Sequence, residues 1–272
     1  MGNIRVIGPR GSGKTTYLAG LAYWPTEQNQ AGKKSRFAIQ PLNQETTKLA
    51  ENAENIIMDG KSLEPTITHV RNIYDLPSYS FKIEINKRLG EPEELILAVR
   101  DHPGEMFDNL GNGIKDSLHS EFLEECLGGD VAGCLVLLTD WGSKADRHYK
   151  RVFNQFANLL EKYDRTHDLR LAITMSKCER GEIWPGRIDP EIDLFNLHLP
   201  ETYRTLCAKV PEKNRRFFAL STFGVLDRND PRPNRVEQWG TDGSSAVLRK
   251  EKKWKPFNMI EPLYWLSTGK RL

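Results

Sequence analysis

Eight residues constrain this chain more than any other stretch: Gly8-Pro9-Arg10-Gly11-Ser12-Gly13-Lys14-Thr15 satisfies GxxxxGK[ST] at every specified position. The motif stands between an apolar run at 4–8 that reads as a strand and a segment at 14–23 that reads as a helix. In that setting the pattern has a mechanism. Successive backbone N–H groups curl around a phosphate, and the helix N-terminus adds its positive end. Lys14 brings a charge to the β- and γ-phosphates, and the Thr15 hydroxyl is a ligand for Mg²⁺. The expected phosphate contacts are Gly8, Arg10, Gly11, Ser12, Gly13, Lys14, Thr15 and Thr16.

A strand that ends in such a loop needs neighbours. The stretches 133–139, 170–176 and 217–221 are near-continuous apolar runs with polar C-terminal ends, as strands buried on both faces of a parallel sheet require. Helical patterns at 148–163 and 191–208 lie between them. Residues 79–86 alternate Phe81, Ile83 and Ile85 on one face; with 94–100 they make an antiparallel hairpin at a sheet edge. Leu49, Ala53, Ile56 and Ile57 are spaced for one face of an added helix at about 43–59. These elements predict an α/β fold: a P-loop NTPase three-layer sandwich with a mostly parallel sheet, one antiparallel edge hairpin and helices on both faces. A single domain over 1–272 is expected, with a long mobile loop at about 227–257 and a closing helix at 259–266.

A formal net charge of +2 gives no global electrostatic case for nucleic acid or an anionic membrane. The longest apolar run, 131–139, is too short to cross a bilayer. Cys126, Cys134, Cys178 and Cys207 show no CxxC pair and no metal-ligand spacing, so they read as reduced thiols of a cytoplasmic protein. The first residues carry no secretory pattern, and Val6 stands where a myristoylation signal has Ser or Thr.

Asp101-His102-Pro103-Gly104-Glu105 follows the apolar run 95–99 and matches DxxG. With a complete phosphate loop upstream, the chain resembles the Ras-like, translation-factor-related GTPases. The resemblance implies that Asp101 orders Mg²⁺ through water and that the Gly104 N–H senses the γ-phosphate. Glu105 holds the place of a water-orienting glutamine, so it either polarises water as a base or sits idle. His102 is the alternative, since histidine suits that role at neutral pH. Arg10 stands where small GTPases keep a glycine. Its side chain either obstructs a partner's arginine, reaches the phosphate itself, or is solvated at the loop mouth.

Ser176-Lys177-Cys178-Glu179 resembles the guanine motif [NT]KxD, with Ser for Asn or Thr and Glu for Asp. Leu220-Ser221-Thr222 resembles the loop whose backbone N–H meets the guanine O6. The base-reading residues implied are Ser176, Lys177, Glu179, Ser221 and Thr222. A switch threonine, as a ligand of Mg²⁺, is assigned to Thr66 in preference to Thr68. The segments GPRGSGKTTYLAGL, AIQPLNQET, DHPGEMF and PFNMIEPLYWL are most similar to the bacterial double-GTPase group, linked by gene context to conflict or defence systems. That likeness implies a Mg²⁺-dependent GTP-hydrolysing switch, with GTP and GDP as ligands and Lys14, Glu105 and His102 as catalytic candidates. The departures at Glu105 and Arg10 point to slow turnover without a protein partner, which is expected to be met through the switch regions or the 227–257 loop. The alternatives are an ATP-hydrolysing enzyme and a nucleotide-binding scaffold with negligible turnover. A kinase would need a lid, for which Arg228, Arg232 and Arg235 are available.

Overall fold

The computed structural model describes residues 3–30, 36–59, 72–86, 91–112, 117–240 and 243–272. In chain order these form β1 (Asn3–Ile7), α1 (Lys14–Gln30), β2 (Phe37–Pro41), α2 (Gln44–Met58), β3 (Ser78–Ile85) and β4 (Glu93–Arg100). There follow α3 (Gly104–Asn109), α4 (Ser117–Leu127), β5 (Val131–Leu138), α5 (Ser143–Lys162), β6 (Arg170–Met175) and α6 (Pro200–Lys209). The chain closes with β7 (Arg215–Ala219), β8 (Arg235–Gly240), β9 (Gly243–Leu248) and α7 (Glu261–Thr268). Strands β1, β5, β6 and β7 pair in that order, all parallel.

Period-2 alternation divides the apolar side chains of these strands between two cores. Cys134, Val136 and Leu138 join Phe122, Phe153, Phe156 and Leu206 of α4, α5 and α6 on one face. Leu135, Leu137, Ala172 and Phe218 join Tyr17, Leu49, Ile57 and Leu263 of α1, α2 and α7 on the other. Removing both sets from water is the main driving force for layering helices on each side. The expected three-layer α/β class is therefore the observed one.

The edge piece is larger than a hairpin. β2 adds a third antiparallel strand, with Ile39 opposite Ile83, and β4 lies beside β1. Phe37-Ala38-Ile39 is too short an apolar run, ending at Pro41, to declare itself in the sequence. Arg5 joins the two sheets: its Nη1 donates to the Ala98 carbonyl at 3.1 Å and its Nε to the Glu125 carbonyl at 2.8 Å.

Three other expectations need correction. The helix foreseen at 191–208 is broken into a π-helical turn (Glu191–Asn196) and α6, because Pro200 lacks an N–H and opens a new helix at its first turn. The loop foreseen at 227–257 contains the β8–β9 hairpin, with Val236 opposite Val247. α3 and α4 were not foreseen at all. The added helix stands at Gln44–Met58 with Asn43 as its N-cap, the side-chain oxygen accepting from the Thr46 amide at 2.8 Å. Among the described residues, no helix is long and apolar enough to cross a membrane.

Candidate functional site

Gly8, Pro9, Arg10, Gly11, Ser12 and Gly13 make the turn between β1 and α1, and Lys14, Thr15 and Thr16 open the helix. Gly13 has φ +86°, a conformation that a side chain resists. Tyr17 N donates to the Gly13 carbonyl at 2.8 Å, so the helical bonds begin directly at the loop. The Lys14 ammonium is buried and donates to the Gly8 and Pro9 carbonyls at 2.9 and 3.2 Å. Burial lowers its pKa, and the charges of Asp101, Asp108 and Glu105 pull the other way. The Ser12 hydroxyl is buried without a hydrogen-bond partner among the described residues.

The DxxG segment folds onto this loop. Thr15 Oγ1 donates to Asp101 Oδ2 at 2.8 Å, joining two residues 86 positions apart. Burial raises the Asp101 pKa, while Lys14, the Thr15 bond and His102 lower it. An Mg²⁺ ion takes hard oxygen donors, and this hydroxyl–carboxylate pair at the phosphate loop fits it. No group of three or more His, Cys, Asp or Glu placed to hold a metal occurs among the described residues, so any ion here depends on phosphate and water for its other ligands. Gly104 presses against the loop backbone. A Cβ there would lie 2.1 Å from Arg10 N and 2.3 Å from Arg10 Cα.

Glu105 and His102 part company. Glu105 is half exposed, with Oε1 3.6 Å from Arg10 Nη1. His102 is 2% exposed; its ring meets Phe122 edge-on and its Nε2 lies 3.1 Å from Glu125 Oε2 of α4. Burial lowers the His102 pKa against the pull of Glu125. The histidine is a core residue, and Glu105 is the one at the loop mouth. A cleft of ≈ 560 Å³ opens beside that mouth, lined in part by Pro9, Arg10, Asp108, Trp141 and Lys144.

The base-reading candidates lie on the same rim. Ser176 Oγ donates to the Ser12 carbonyl at 2.8 Å, and Lys177 Nζ to the Gly11 carbonyl at 2.6 Å. Burial, then Arg235 and Arg180, lower the Lys177 pKa to about 8. Cys178 N donates to the Leu220 carbonyl, bringing this loop against Ser221 and Thr222. Ser221 Oγ accepts from Gly224 N at 2.7 Å, and the Thr222 carbonyl accepts from Trp254 Nε1 at 2.8 Å. Glu179 is fully buried and held by Arg235 of β8, a contact across 56 positions that no motif announces. Glu125, Asp108 and Arg180 were likewise not foreseen, and the segment that delivers Arg235 was expected to be a loop. Thr66 and Thr68 lie outside the described residues.

No protein-family model and no curated protein matches the chain. Among solved structures it is similar to the signal recognition particle receptor SRb-GTP/SRX complex from Chaetomium thermophilum, at 14% identity and a TM-score of 0.40. That likeness covers 82% of this chain and 92% of that one. A second is sup35 complexed with GDP, at 10% identity and a TM-score of 0.32, covering 84% of this chain and 39% of that one. The fold and site described above rest on the chain's own geometry.

Proposed function

We propose that this chain is a Mg²⁺-dependent GTP-binding and hydrolysing switch. The observation that carries the reading is the Thr15–Asp101 hydrogen bond, which unites the phosphate loop with the DxxG segment. Backbone amides of Gly8 and residues 10–16 and the Lys14 ammonium enclose the polyphosphate, where burial strengthens each charge–charge contact. The Thr15 hydroxyl and, through water, Asp101 would hold Mg²⁺, which would supply neutralising charge at the phosphates. Gly104, already against the loop, offers its N–H to the γ-phosphate. Glu105 holds the attacking water, and its tie to Arg10 keeps that activity slow until a partner alters it. The cleft beside Arg10 gives such a partner access to the loop mouth.

Lys177 and Glu179 face the base, with Ser221 and Thr222 closing it. A second reading, in which ATP serves as well, draws on the capture of Glu179 by Arg235. A role in a bacterial conflict system follows from the resemblance at 8–21 and 101–107, and a cytoplasmic setting from the free thiols. Calorimetry with GTP, GDP and ATP tests the reading. Lys14→Ala should abolish triphosphate binding, and unchanged affinity would overturn it. Tighter ATP than GTP would move the assignment to the second reading.

A further inference from the structure

Arg235 divides the carboxylate of Glu179 unequally. Its Nη1 donates to Glu179 Oε1 at 3.4 Å, and its Nη2 to Glu237 Oε1 at 2.9 Å. Glu179 Oε2, equally buried, has no hydrogen-bond partner among the described residues. A buried carboxylate oxygen without a donor is costly and marks a place where a ligand can supply one. Arg235 is also firmly seated. Asn234, just before it, has no exposed surface, donates its N–H to the Gly224 carbonyl and clasps the backbone of Lys250 in both directions. The start of β8 is thereby fastened to the Ser221–Thr222 loop.

We propose that Arg235 is a specificity-determining residue of the base site, leaving Oε2 as the one oxygen of Glu179 without a donor. The inference rests on the nucleotide reading above. Guanine presents two donors on one edge, N1–H and the 2-amino group, and a free carboxylate can accept both, one at each oxygen. Oε1 keeps a second lone pair, but the guanidinium drawn to it sets N–H donors beside the place of the 2-amino group, donor against donor. The site therefore reads the N1–H of a 6-oxopurine and ignores the 2-amino group. Hypoxanthine satisfies it as well as guanine does. Adenine, with a lone pair at N1, sets acceptor against acceptor.

Dissociation constants of GDP, IDP and ADP for the full chain with Mg²⁺ test this. IDP should bind within about threefold of GDP and ADP at least about tenfold more weakly than both, since one neutral-to-charged hydrogen bond is worth that factor or more. Arg235→Met, which keeps much of the bulk and has no donor to offer Oε1, should open a GDP preference over IDP of about tenfold. GDP more than about threefold tighter than IDP in the unaltered protein overturns the inference, whether or not the variant folds. So does a folded Arg235→Met protein, verified by its thermal melt, whose GDP-to-IDP ratio is unchanged. ADP binding as tightly as both removes the guanine reading and the inference together, while absence of all three defeats the phosphate site first.

Discussion

Arg10 Nη1 and Glu105 Oε1 stand 3.6 Å apart across the mouth of the phosphate loop, so two of the residues that depart from the small-GTPase pattern are paired with each other. Their side chains are 79% and 51% exposed, and a pair this wet contributes only about 0.2–1 kcal/mol to stability. Its effect lies in where it holds the two charges.

From this we expect Arg10→Ala and Glu105→Ala each to change unfolding free energy by less than about 1 kcal/mol. Glu105→Ala should lower single-turnover GTP hydrolysis by about a hundredfold or more, the low end for a positioned base. Denaturant melts and a rapid-quench time course check the two halves. Equal rates for the unaltered and Glu105→Ala proteins would remove Glu105 from the mechanism.

Gly104→Ala places a methyl 2.1 Å from Arg10 N, and backbone cannot yield as a flexible side chain does. Overpacking of this kind costs about 1–3 kcal/mol. α3 should be forced away from the loop, so GTP affinity should fall more than GDP affinity. Parallel titrations with the two nucleotides decide it, and an equal loss for both would dissociate Gly104 from the γ-phosphate.

Thr15→Ala removes one of the two oxygens that meet at 2.8 Å, and Asp101→Asn removes the charge of the other group and one of its oxygens. The gain in nucleotide affinity on adding Mg²⁺ should shrink at least about tenfold in each, while binding in EDTA changes little. A Mg²⁺ response that survives both substitutions would place the ion elsewhere.

Lys177 gives a pH signature. Its pKa in the folded chain is lowered to about 8, first by burial and then by Arg235 and Arg180. An unfolded lysine keeps its proton to about pH 10.4, so between those values the unfolded chain binds more protons and stability rises with pH. Below the folded pKa the penalty of the buried charge is present in full. Urea melts at pH 7.5 and 9.5 should show this rise, and Lys177→Met should reduce it. Some rise should persist, because burial lowers the Lys14 pKa too. An undiminished rise in the variant would assign the effect to other groups.

Much of the molecule was legible before any coordinates. The phosphate loop is a contiguous string whose backbone does the binding, so its eight residues carry their own geometry. The strands at β5, β6 and β7 are buried on both faces and advertise this as unbroken apolar runs. α2 showed itself through Leu49, Ala53, Ile56 and Ile57 at helical spacing. By contrast, β2 pairs over five residues, and its stability comes from β3 and not from its own composition. α4 buries Phe122, Leu123, Cys126 and Leu127, yet its sequence is interrupted by His119, Glu121 and two further glutamates that blur the pattern.

The sequence by itself determined that a strand, a glycine turn and a helix would present Lys14 and Thr15 to a phosphate, because those contacts are local and need no distant partner. It also determined the layered α/β class, because strand and helix periods are written along the chain. Only the tertiary structure decided that His102 turns into the core beside Glu125, that Glu105 meets Arg10, and that Arg235 reaches Glu179. Each of these is an electrostatic contact between residues chosen by three-dimensional packing. The sequence states which charges exist, and folding decides which of them meet.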